Sequence, residues 1–237
     1  MTRKIKLTFF VACAGSAVLM MFILAVFPAL ADFKSARQSL DQKAYSDAFK
    51  ACLQDAEKGE PGCQLLLSQI LKEGLGMNKN KEKALNWLNK AAKSGYPGAQ
   101  WLLARRYYKG RLVKKNYGEA ARWVRLASDQ NFPAAQTMLG LLHEKGRGVE
   151  QSDTRAIEYY RIAAEGKSYP EAQFSLGRMY EGGKGVDVNT KLSKEWFHKA
   201  AVQGHTGAQH ELGTMHEAGP DEEMPTWLEE LVEATAN

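Results

Sequence analysis

Residues 172–186 read AQFSLGRMYEGGKGV, and residues 83–95 read KALNWLNKAAKSG. Both patterns recur along the chain at a nearly fixed spacing. Glutamines that follow a small residue are 36 or 37 positions apart, at Gln64, Gln100, Gln136, Gln173 and Gln209. Each is followed three positions later by a leucine and ten positions later by a glycine. A period in the range of about 20–50 residues indicates a tandem repeat architecture.

Each repeat unit is predicted to form two helices. In the second unit, the first helix runs from about Pro97 to Lys109, because proline suits a first turn and Gly110 suits a left-handed residue after the last turn. The second helix runs from about Asn116 to Asn131 and has one apolar face. No strand pattern competes. The predicted fold class is all-α, an α/α superhelical solenoid of tandem antiparallel helix pairs.

The two quoted stretches resemble the Sel-1-like repeats, a branch of the tetratricopeptide-repeat superfamily. The repeat of that family is close to A-x-x-x-L-G-x-x-Y-x-x-G-x-G-V, followed by K-A-x-x-W-x-x-K-A-A-x-x-G. The resemblance extends from about Pro61 to Gly219. It implies a helical solenoid that acts as a scaffold for partner molecules rather than as an enzyme.

The repeat register divides the chain into segments. Ala48, Cys52 and Ala56 precede the equivalent second-helix positions of the next unit by 36 residues, which indicates a half-repeat that caps the stack. We predict a signal peptide or uncleaved anchor (1–31), an N-terminal capping half-repeat (32–60), four repeats (61–96, 97–132, 133–169, 170–205), a partial fifth repeat (206–220) and an acidic C-terminal cap or tail (221–237).

The N-terminal segment has the features of an export signal. Arg3, Lys4 and Lys6 precede an uncharged apolar run from Leu7, and small residues lie before Asp32. The run is also long enough to cross a bilayer about 30 Å thick. We therefore expect a periplasmic or secreted protein, with retention as an inner-membrane anchor as the alternative.

Charge is distributed unevenly along the chain. Three of the 32 basic residues lie in the first 31 positions, so 29 remain beside 27 acidic residues. Six of those acids, and no basic residue, lie in residues 221–237. The body is therefore basic and the last segment acidic.

Cys52 and Cys63 are the cysteines that follow the signal segment. An exported compartment favours a disulfide between them, whereas two small buried thiols would satisfy packing equally well. Both interpretations remain open from sequence alone.

Catalytic and metal-binding patterns are not found in the sequence. The segment after residue 31 contains no S-x-x-K, S-D-N, K-T-G or G-x-S-x-G motif. His205, His210 and His216 lack the spacing of four that places two ligands on one helical face. We expect no catalytic residues, no metal and no cofactor. The resemblance leaves a weak hydrolase of β-lactams or cell-wall material as the enzymatic alternative.

Candidate binding residues lie on the first helices, where side chains depart from the repeat consensus. Large aromatic and arginine side chains are the types that dominate interface energies. We predict a partner-binding groove, called here the predicted groove, consisting of Trp101, Arg105, Tyr108, Lys109, Phe174 and Arg178.

Residues 105–115 read RRYYKGRLVKK, of which six are basic. The basic patch, defined as Arg106, Arg111, Lys114 and Lys115, is predicted to receive an acidic segment of a protein partner. An acidic polysaccharide, a phosphate-bearing lipid, a solvated turn and an intramolecular contact with residues 221–237 are the alternatives. Export argues against nucleic acid. The expected function is a non-catalytic scaffold for a protein partner in the cell envelope, or otherwise a glycan- or lipid-binding envelope protein.

Overall fold

The computed structural model describes residues 45–166 and 168–217, except for the side chains of residues 216 and 217. All regular secondary structure in these ranges is helical. The helices are α1 (Tyr45–Glu57), α2 (Pro61–Glu73), α3 (Lys81–Lys93), α4 (Pro97–Lys109), α5 (Tyr117–Ser128), α6 (Pro133–Lys145), α7 (Asp153–Gly166), α8 (Pro170–Gly182), α9 (Thr190–Ala201) and α10 (Thr206–Glu217).

Local sequence sets the ends of these helices. Proline occupies the first turn of α2, α4, α6 and α8, where its missing N–H removes no helical hydrogen bond. The glycines that follow these helices have φ between 61° and 74°, a left-handed conformation that glycine adopts without strain. Asn80, Asn116 and Asn189 cap α3, α5 and α9 by accepting a backbone N–H bond at 2.9–3.0 Å.

The helices stack in sequence as a solenoid, which confirms the predicted fold class. Each helix packs against the next one in the chain, and small residues line the contacts. Ala91, Ala99, Ala127 and Ala135 are fully buried, which lets successive helices approach closely. Since each repeat touches mainly its neighbours, the buried apolar side chains of the described residues form a series of four clusters along the stack.

The recurring glutamine joins four of the five described first helices to the second helix before each. The side-chain amide of Gln64 donates to the Ala56 carbonyl at 2.9 Å, and Gln100 donates to Ala92 at 3.3 Å. Gln173 and Gln209 make the equivalent bonds to Ala164 and Ala201. These bonds satisfy carbonyls that the end of an α-helix leaves without an intrahelical partner.

One difference from the sequence prediction concerns α5, which ends at Ser128 rather than near Asn131. Asn131 has φ 57°, and the Phe132 N–H bonds back to the Ala127 carbonyl at 3.3 Å. The residue before a proline is disfavoured in the helical region, so the chain leaves the helix in this tight turn before Pro133.

Several predicted segments lie outside the described residues, namely the signal or anchor (1–31), residues 32–44 of the capping half-repeat and the acidic segment (221–237). Within the part that the structure describes, no helix combines the length and apolar character that a membrane crossing requires.

Candidate partner-binding site

Trp101 and Arg105 form the centre of the predicted groove. They lie one helical turn apart on α4, and both are half-buried. The Arg105 guanidinium carbon lies 4.7 Å from the centroid of the Trp101 ring, within cation–π range. The Trp101 ring also meets Phe132 in an edge arrangement, with centroids 5.9 Å apart. The two side chains are therefore held in place while part of each stays accessible.

Phe132 belongs to an aromatic row that the sequence prediction did not include. The row consists of the residues just before the first helices, Tyr96, Phe132, Tyr169 and His205. All four are half-buried. Their spacing of 36 or 37 was visible in the sequence, and their position before the first helix could have identified them.

The second part of the predicted groove repeats this arrangement on α8. Phe174 occupies the repeat position of Trp101, and its ring stacks on His205 at 4.5 Å between centroids. The His205 Nε2 lies 3.1 Å from a Glu171 carboxylate oxygen. Arg178, one turn after Phe174, is exposed. Aromatic and arginine side chains thus recur two repeats apart on equivalent positions.

Tyr108 is engaged by the following repeat. Its hydroxyl accepts a hydrogen bond from Arg147, and its ring lies 5.4 Å from the ring of Tyr117. The Arg147 guanidinium lies 5.4 Å from the Tyr108 centroid and 5.3 Å from that of Tyr117. Arg147, which the sequence prediction missed, therefore joins the second and third repeats and adds a further positive charge.

Positive charge is crowded at the end of α4. Burial lowers the pKa of Arg106, and the neighbouring Arg105 and Arg111 lower it further. Arg105 is the main cause of the lowered pKa of Lys109. Glu73 is the acidic group that acts on Arg106 in the opposite direction. Lys114 and Lys115 are exposed in the turn that follows. The structure therefore brings the basic patch and Lys109 into one region.

The two cysteines lie in the contact between α1 and α2. Both are fully buried and are free thiols in this structure. A hydrogen bond with Cys63, followed by burial, raises the pKa of the Cys52 thiol. The disulfide stays one of two interpretations, beside two buried thiols that only pack.

His205 and His210 do not assemble a metal site with the other side chains that the structure describes. No group of three histidine, cysteine or acidic side chains within residues 45–166 and 168–217 is placed to hold a metal ion. His143 instead stacks on Tyr159 at 5.7 Å, and its Nδ1 lies 2.9 Å from the Glu150 carbonyl oxygen.

Comparison with known proteins identifies the repeat. A family model described as Sel1 repeat matches residues 61–96, 97–132, 133–168 and 170–205. The chain belongs to the Sel1 repeat family. Proteins of this family are protein-interaction scaffolds, and their fold is typically non-catalytic.

Solved structures of similar proteins agree with this assignment. A Sel1 repeat protein from Oxalobacter formigenes is 28% identical, with a TM-score of 0.74 and coverage of 80% of this chain and 76% of that one. A protective antigen present in uropathogenic Escherichia coli strains is 33% identical, with a TM-score of 0.67 over 72% of this chain. The match spans only 36% of that antigen's chain.

A third structure supports the fold alone. An immunity protein from Pseudomonas aeruginosa is 20% identical, with a TM-score of 0.55 and coverage of 79% of this chain and 72% of that one. The search of curated proteins found no match.

Proposed function

We propose that this Sel1 repeat protein is an exported, non-catalytic scaffold that binds a protein partner in the cell envelope. Trp101 and Arg105 are the anchors of the binding face, and Phe174 and Arg178 extend it along the solenoid. The observation that carries the proposal is the half-exposed Trp101–Arg105 pair, which is fixed by Phe132 and repeated in kind at Phe174.

The physical basis is the low cost of ordering such side chains when a partner binds. Arg105 already lies over the Trp101 ring, and Phe132 restricts the other edge of that ring. Less rotamer freedom is therefore lost on binding than for isolated surface side chains. Each anchor of this type contributes about 1 kcal/mol or more to an interface when it is desolvated by the partner.

The test is affinity capture from native envelope extract after crosslinking in situ. The wild type is compared with a Trp101→Ala/Arg105→Ala double variant, which should lose the partner. The matched control is Trp196→Ala/Lys199→Ala, because Lys199 lies 3.9 Å above the Trp196 ring on the second helix α9. Equal capture by wild type and the first double variant would remove this face from the proposal.

Export is tested separately from binding. Arg3, Lys4 and Lys6 followed by the apolar run support a signal segment. Intact-mass analysis of protein from fractionated cells should find a chain that begins at Asp32 in the soluble envelope fraction. A full-length mass in the membrane fraction would instead establish a retained anchor, and recovery in the cytoplasm would contradict export.

The absence of catalysis is also part of the proposal. Purified protein should not increase the hydrolysis of a chromogenic β-lactam above the rate in buffer. Turnover that persists through purification and follows the protein concentration would favour the hydrolase alternative.

A further inference from the structure

Two departures from the repeat pattern occur at the same junction, between the repeats that contain α2–α3 and α4–α5. The first is Arg106, whose equivalents in three other repeats are buried apolar residues. Those equivalents are Ile70, Leu142 and Met179, with exposures of 0%, 0% and 2%. Arg106 is only half-buried, and its charge is placed where the repeat architecture provides an apolar contact.

The second departure is Leu112, which replaces a glycine. Its equivalents Gly76, Gly148 and Gly185 all have positive φ and lie against the backbone at the start of a preceding second helix. A Cβ on Gly185 would lie 2.7 Å from the carbonyl carbon of Asp153. Leu112 nevertheless adopts φ 68° and leaves 43% of its surface exposed. A left-handed backbone conformation is strained at a residue other than glycine, and such strain is often found at functional sites.

Arg106 and Leu112 therefore define a surface with basic and apolar components. Arg111, Lys114 and Lys115 surround Leu112 in the sequence and are exposed. The charges of Arg105 and Arg111 act on Arg106, with Glu73 as the opposing acid. Such a surface is complementary to an acidic segment that also carries apolar side chains.

We propose that the acidic segment 221–237 of this same chain docks on the surface formed by Arg106, Arg111, Leu112, Lys114 and Lys115. The segment contains no basic residue, and its acids alternate with apolar side chains at Trp227, Leu228, Leu231 and Val232. Carboxylates pair with the basic side chains, and apolar groups cover Leu112. This inference rests on the proposed function, because the docking surface adjoins the proposed anchor Arg105 and a docked segment would compete there with a partner.

Topology makes this contact reachable. The helices α4 and α10 are both first helices, so in a tandem repeat their C-terminal ends lie along the same edge of the solenoid. Three repeats separate Lys109 from the end of α10. If the first helices of successive repeats lie side by side at the spacing of packed helices, roughly 8–10 Å, this distance is about 30 Å. A chain extends by at most about 3.3–3.6 Å per residue, so Glu229, Glu230 and Glu233 can reach the basic surface.

The test is zero-length carbodiimide crosslinking of the full chain, which joins a carboxylate to a lysine amine only when the two are in contact. Mass spectrometry should find Glu229, Glu230 or Glu233 linked to Lys114, Lys115 or Lys109. Lys184 is the internal control, because it lies in the equivalent turn only one repeat from α10. A segment that merely moves near its attachment point would link to Lys184 most often.

The matched variants separate charge from folding. Arg106→Leu restores the apolar residue type of the other repeats, so an Arg106→Leu/Arg111→Ser variant should fold while its links to Lys114 and Lys115 fall about fivefold or more. Arg155→Ser/Arg161→Ser removes two exposed arginines from α7 and should leave the links unchanged.

Three results would overturn the proposal. These are links that concentrate on Lys184, links that survive unchanged in the Arg106→Leu/Arg111→Ser variant, and links that carry mixed isotopes when labelled and unlabelled chains are combined. The last result would assign the contact to a second copy. No partner is present in this experiment. The docking of residues 221–237 can therefore be disproved while the proposed partner binding holds, and partner binding can be disproved while the docking holds.

Discussion

At the scale of single residues, the repeats match small side chains on first helices with large ones on second helices. A Cβ on Gly140 would lie 2.7 Å from the Tyr160 ring, and one on Gly177 would lie 2.6 Å from the Phe197 ring. Other repeats carry Ser68 and Ala104 at the small position and Leu88 and Val124 at the large one. The quoted repeat pattern already contains the glycine at this position, as in Leu176-Gly177. It could not assign the matching ring, because the two residues meet only across a helix pair.

Gly177→Ala and Gly213→Ala test this size matching at equivalent positions. Alanine at 177 would overlap the buried Phe197 ring, and we expect a loss of about 1–3 kcal/mol in the free energy of unfolding. Gly213 has no heavy atom of a neighbour within 4 Å of an added Cβ, so alanine there should be neutral or stabilise its helix by up to about 1 kcal/mol. Urea unfolding followed by circular dichroism measures both. Equal effects would contradict a steric role for Gly177.

Leu112→Gly tests the strain in the turn after α4. A left-handed conformation costs a residue with a side chain about 1–2 kcal/mol, so glycine should leave stability unchanged or raise it slightly. Leu126→Gly is the matched control, because Leu126 is similarly exposed at 41% but lies inside the helix α5. We expect the control to lose about 1 kcal/mol. The interpretation is wrong if both variants are destabilised to the same extent.

At the scale of helices, local signals determined most of what could be predicted. The predicted bounds of the helix from Pro97 to Lys109 match α4, because proline and glycine mark its ends chemically. The end of α5 was less predictable, since it depends on the turn before Pro133. The engagement of Tyr108 by Arg147 was not predictable, because it joins residues 39 positions apart in adjacent repeats.

The contact between α1 and α2 contains both cysteines, so it is where a disulfide can be tested. Cys52 and Cys63 are buried side by side, and the raised pKa of Cys52 disfavours the reactive thiolate in the folded chain. In exported protein, we expect a chain two hydrogen masses lighter than the reduced form. Closing this short loop should add about 3 kcal/mol to the free energy of unfolding.

Intact-mass analysis measures the mass, and denaturant unfolding with and without reductant measures the stability. The control is the Cys52→Ala/Cys63→Ala variant, whose stability should not respond to reductant. A reduced mass in freshly exported protein would assign both cysteines to packing alone.

At the scale of the whole molecule, the solenoid links stability to position in the stack. The repeat period predicted this architecture because every unit carries the same glutamine, leucine and glycine signals. The surface proposed to dock residues 221–237 was less predictable. It is recognised only when Arg106 and Leu112 are compared with the burial and contacts of their equivalents in other repeats. In a linear stack, loss of a central contact should separate the two halves, whereas loss near one end should affect that end.

Leu139→Ala and Leu67→Ala test this position dependence. Both leucines are fully buried at the same repeat position, and each substitution should cost about 2–5 kcal/mol locally. Leu139 lies in α6, in the middle of the stack, so its loss should reduce amide hydrogen-exchange protection in α5, α6 and α7 and divide unfolding into two transitions. Leu67 lies in α2, so protection should fall mainly in α1, α2 and α3 with one main transition remaining. A uniform loss of protection along the chain in both variants would contradict this expectation. The repeats would then unfold as a single cooperative unit, because the coupling free energy between neighbouring repeats would exceed the local cost of either cavity.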